Sequence, residues 1–142
     1  MSRIAIWRKQ HDLIVDLAGD VEAILPRLDT IEAAEQLAKL LTRLDSVLLT
    51  HLTSEDAFLY PAMIEGGDRH AADVASRFKA EMGGIVHSYS RLKETWSGAA
   101  AIHGNPGWFR RDWKALLAAL ANRIERENSV LYPLAEKAER VG

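Results

Sequence analysis

The chain has 142 residues, 48% hydrophobic and 27% charged, with a net charge of −2, so one soluble domain over residues 1–142 is expected. That charge gives no reason to expect nucleic acid or an anionic membrane as a partner. No apolar run approaches the ~20 residues of a membrane span, and the N-terminal stretch lacks a signal-peptide apolar core, so a cytoplasmic location is expected. With no cysteine, disulfides, thiolate nucleophiles and cysteine-ligated iron–sulfur clusters are excluded.

Apolar residues recur at helical spacing in four segments, and nothing reads as strand. The first segment places Ile4, Trp7, His11, Ile14, Leu17 or Ala18, Val21 and Leu25 on one face. Pro26 to Asp29 interrupt it, and Asp29 with Glu32 forms a capping-box pattern for the next helix. The second face carries Leu37, Leu41, Leu44, Leu48, His51, Glu55 and Phe58. Gly66-Gly67-Asp68 then reads as a turn with a ready N-cap. The third face holds Phe78, Met82, Ile85, Tyr89, Leu92 and Trp96, and a longer connection from Ser97 to Gly107 follows. The fourth holds Trp113, Leu116, Leu120, Arg123 or Ile124, Glu127 and Leu131. The Tyr60-Pro61 and Tyr132-Pro133 steps should kink or end helices two and four, because proline cannot donate its backbone bond. The expected fold is all-α, an antiparallel up-down-up-down four-helix bundle.

Five ionisable residues sit on these inward faces: His11, His51, Glu55, Arg123 and Glu127. Buried carboxylates demand cations nearby, or they neutralise. His51 and Glu55 are one turn apart on one helix face, and antiparallel packing brings His11 level with them. Imidazole nitrogen with carboxylate oxygen suits iron, manganese or zinc rather than calcium or magnesium. A satisfied polar contact is the alternative use of such residues. His70 and His103 sit beside turns, and His87 lies opposite the inward stripe; none of the three is taken as a ligand. The tryptophans and the Leu-Tyr-Pro steps read as core and helix-end packing.

The block from His51 repeats 72 residues later. Glu55 falls on Glu127, Asp56 on Asn128, and Leu59-Tyr60-Pro61 on Leu131-Tyr132-Pro133. His51, however, falls on Arg123, a cation that cannot bind metal.

This layout resembles the hemerythrin-like family, also called the HHE cation-binding domain. The residues that carry the resemblance are an inward His on helix one, His-x-x-x-Glu before Leu-Tyr-Pro on helix two, and a second such block on helix four. Full members resemble one another in holding two irons bridged by two carboxylates. The resemblance implies that His11 and His51 are ligands of one metal, with Glu55 and Glu127 as the bridging carboxylates. The other metal's ligands are missing. The family's helix-three Glu-His is here Glu81-Met82, Phe78 occupies the preceding turn, and the helix-four His is Arg123. Arg123 is expected to take the second metal's place by pairing with Glu55 and Glu127.

Two outcomes follow. Either one iron, manganese or zinc is held by His11, His51, Glu55 and Glu127, or no metal is bound and the same charges form a buried network. Function ranks accordingly as a metal-binding sensor or storage domain, then a metal-free regulatory scaffold, then a mononuclear-iron enzyme. A sensor without a fused output domain would signal through a protein partner or a homodimer face. Trp108 is a candidate for such a face, and Trp113 is expected in the core.

Overall fold

The computed structural model describes residues 2–141. Among them there is no strand, and no helix is long and apolar enough to cross a membrane. The α-helices are α1 (Arg3–Ile24), α2 (Ile31–Ser54), α3 (Tyr60–Ile64), α4 (Arg69–Thr95), α5 (Ala99–Gly104), α6 (Pro106–Arg126) and α7 (Tyr132–Val141).

Side-chain caps define three of the starts. Ser2, Thr30 and Asp68 accept from the backbone N–H three residues on, at Ala5, Ala33 and Ala71. Thr30, not Asp29, therefore caps α2, because the 3-10 turn Leu25–Arg27 carries the chain one residue further before it turns helical. Gly67 supplies the turn before α4 with a φ of 88°, a conformation that costs glycine little. The connection expected from Ser97 to Gly107 contains α5, whose alanines favour helix and whose Ile102 is fully buried.

The Tyr-Pro steps end neither helix. A π-helical segment at Glu55–Leu59 joins α2 to α3, and a second at Glu127–Leu131 joins α6 to α7. Tyr60 N–H bonds Glu55 O and Tyr132 N–H bonds Glu127 O, one residue wider than an α-turn. The wider turn accommodates a proline that lacks an N–H and crowds the carbonyl behind it. It also changes the phase of the helix. Leu59 and Tyr60 face inward, whereas Phe58, expected on the buried face, is 49% exposed and covered by the Arg3 guanidinium at 3.9 Å.

The apolar core forms two clusters. One gathers Ile14, Val21, Leu37, Leu48, Trp96, Phe109, Trp113 and Leu120 with their neighbours. The other gathers Ile4, Trp7, Leu59, Tyr60, Phe78, Leu131 and Tyr132 with theirs. On each strand of sequence that runs from one cluster to the other, the residues between are the polar ones: His11, His51 with Glu55, and Arg123 with Glu127. All five are at most 3% exposed.

Candidate metal centre

α1 supplies His11, α2 supplies His51, and the two π-helical segments each supply a glutamate at their first residue, Glu55 and Glu127. One donor atom from each of the four lies within 4.8 Å of every other. The imidazole Nε2 atoms of His11 and His51 are 3.1 Å apart. Glu127 Oε1 is 2.8 Å from His11 Nε2 and 3.5 Å from His51 Nε2. Glu55 Oε1 is 3.1 Å from His51 Nε2, yet it is not in line for a hydrogen bond and has no other partner. A buried carboxylate oxygen left without a donor is costly unless a cation meets it.

The far side of each imidazole is held as well. His11 Nδ1 donates to Asn128 Oδ1 at 2.9 Å, and His51 Nδ1 donates to Gln10 Oε1 at 2.8 Å. Both Nε2 atoms therefore point at the common centre, the orientation that metal ligation requires. Donors bonded to one first-row metal at about 2.0–2.2 Å stand about 3.0–3.4 Å apart, close to the separations found here. The four residues form a group that could hold a metal ion.

The charges are strongly coupled. Burial works against a charged His51, but the close carboxylates of Glu127 and Glu55 outweigh it and push its pKa up to about 9. Burial also opposes ionisation of Glu127, yet His11 and His51 hold its carboxyl well below the usual range. Glu55 is raised, chiefly by burial, with Glu127 adding to the effect. Tyr60 and Tyr132 are both raised by burial and then by the two carboxylates, which disfavour a phenolate.

Arg123 lies on the Glu127 side. Its Nε donates to Glu127 Oε2 at 3.2 Å and its second terminal nitrogen donates to Tyr60 OH at 2.7 Å. The guanidinium also stacks over Phe78 at 4.6 Å, and its first terminal nitrogen is 3.8 Å from the half-exposed Glu81. The expected salt bridge to Glu55 is not formed. Glu55 Oε2 instead accepts from Tyr132 OH at 2.7 Å, and Tyr60 takes the guanidinium edge that would have reached it. Met82 is buried beside a cavity of about 10 Å³ that His11, His51, Arg123 and Glu127 also line, room for about one water molecule.

His70, His87 and His103 are all exposed. Sequence reasoning missed four contributors: Tyr60, Tyr132, Gln10 and Asn128. The tyrosines were legible only as packing, although their place after each glutamate in the repeat was a signal. Asn128 stood in the same repeat opposite Asp56, which is exposed. Nothing marked Gln10 except its position next to His11.

The family model of the hemerythrin HHE cation-binding domain matches residues 2–135. The chain belongs to this family. No curated protein and no solved structure matches it. The family's metal-binding role agrees with a buried His11, His51, Glu55 and Glu127 group that could hold a metal.

Proposed function

We propose that this hemerythrin-family chain holds a single non-haem metal through His11, His51, Glu55 and Glu127, and serves as a cytoplasmic sensing or regulatory domain. The observation that carries this is the pairing of two convergent Nε2 atoms with Nδ1 atoms locked by Gln10 and Asn128. Iron, manganese or zinc would supply Lewis acidity there, and iron or manganese a one-electron redox change as well. The apolar side chains of Ile14, Leu48, Met82 and Leu120 keep bulk water out of the site. The cavity of about 10 Å³ has room for about one water molecule and none for an organic substrate.

The fold reading belongs to the same proposal. We read α1, α2 with α3, α4, and α6 with α7 as the four antiparallel rods of one domain. The packing of α1 on α2, α3 on α4 and α4 on α6 supports it.

A second reading is favoured by Arg123, which already gives Glu127 a cation and closes the other metal position with Phe78 and Met82. In it, the site is a metal-free regulatory or scaffold network. Metal analysis of protein purified without chelator separates the two. The single-metal reading expects about one ion per chain. A content far below that, with no gain on reconstitution, would establish the metal-free reading. The double variant Met82→His, Arg123→His should raise uptake towards two.

A further inference from the structure

We infer that the Tyr132 hydroxyl is a fifth donor to the metal, so that the site is a two-His, two-Glu, one-phenolate centre suited to ferric iron. The inference rests on the single-metal reading above and extends it.

The first support is position. Tyr132 OH lies 2.7 Å from Glu55 Oε2, 3.2 Å from His11 Nε2 and 3.3 Å from Glu127 Oε1. These separations fall in the same range as those among the four recognised donors, so the phenol oxygen occupies a vertex of the same cluster. The ring is fully buried and stacks on His11, with centroids 5.3 Å apart and planes 21° from parallel. Trp7 also stacks on the ring, with centroids 6.0 Å apart, and the Arg8 guanidinium lies 5.3 Å from its centroid. Two ring contacts and the π-helical segment before it leave the hydroxyl little freedom to turn away.

The second support is the asymmetry of the repeat. Tyr60 is the counterpart of Tyr132, and its hydroxyl accepts from Arg123 at 2.7 Å. Arg123 therefore engages one tyrosine on its own side. The other reaches across to the histidine side, where its hydroxyl donates to Glu55 and lies 3.2 Å from His11 Nε2.

Charge balance gives the third support. Glu55 and Glu127 bring two negative charges and Arg123 one positive, while the half-exposed Glu81 is already paired with Arg126 at 2.8 Å. A divalent ion leaves one buried positive charge and a trivalent ion two, and a phenolate cancels one of them. On coordination the O–H bond breaks, an oxygen lone pair forms the bond to the metal and the proton leaves to solvent. No electron is transferred.

The test is visible absorption and resonance Raman spectroscopy of the chain loaded with ferric iron, with iron content measured in parallel. A phenolate-to-iron charge-transfer band with enhanced phenolate ring modes is expected. It should disappear in Tyr132→Phe and persist in Tyr89→Phe, whose hydroxyl bonds Asp45 away from the site. Iron bound without such a band, or a band that survives Tyr132→Phe, overturns the fifth ligand and leaves the single-metal reading intact. Failure to take up iron overturns the ferric centre, and the manganese and zinc content measured alongside decides whether the single-metal reading falls with it. If Tyr132→Phe does not fold, the Raman spectrum of the unmodified chain decides alone.

Discussion

The proton on His51 sets opposite pH dependences for the metal-free fold and for metal uptake. The neighbouring carboxylates raise its pKa from 6.5 to about 9 in the metal-free chain. A raised pKa means that the folded state binds this proton more tightly than the unfolded state does. Its stabilising contribution is therefore fully present below pH 6.5 and is lost as the pH rises through about 9. At 1.36 kcal/mol per pKa unit, the amount at stake is about 3 kcal/mol. The raised Glu55 acts in the same direction wherever it titrates. Metal ligation requires the neutral imidazole, so uptake at pH 7 must first remove that proton, at a cost of about 3 kcal/mol, or roughly 100-fold in affinity. Competition titrations against a chelator of known affinity, run from pH 6 to pH 8, should show affinity rising about tenfold per pH unit for each proton displaced. Urea denaturation of metal-free protein over the same range should show stability falling. An affinity that stays flat from pH 6 to pH 8 would refute the claim that metal and proton compete for His51.

Arg123→Met removes the guanidinium from Glu127 and Tyr60, leaving a buried carboxylate with fewer partners. Metal-free stability should fall by about 3 kcal/mol in urea denaturation, while metal affinity should rise because a competing cation is gone. Asn128→Ala takes away the acceptor that orients His11, and metal affinity measured by competition titration should weaken about 10–100-fold with helix content unchanged. Trp113→Ala opens a large cavity in the apolar cluster remote from the ligands and strips Glu22 of its indole donor. It should lower stability by about 3–5 kcal/mol without changing metal content per folded chain.

Trp108 is 56% exposed with Arg111 stacked over its ring at 4.8 Å, and Trp113 is buried, so only the former remains available to a partner. The helical character of the chain, the inward faces and the five buried ionisable residues were all legible in the linear sequence. They depend on local periodicity, and a spacing of four residues places two side chains on one face whatever the rest of the chain does. The 72-residue repeat likewise set Arg123 in the place of His51. Phe58 was misplaced because a π turn shifts helical phase, and ideal periodicity does not carry that information.

Contacts between side chains distant in sequence were decided only by the tertiary structure. Gln10 meets His51, Asn128 meets His11 and Tyr132 meets Glu55, across 41, 117 and 77 residues respectively. Each pairing depends on the relative depth and rotation of two packed helices. A shift of one residue in either would swing the polar tip away from its partner. The same dependence explains why Arg123 was correctly foreseen as a buried cation beside Glu127, while its second partner is Tyr60 rather than Glu55. The sequence determined which charges are buried, and the packing of the helices determined which of them meet.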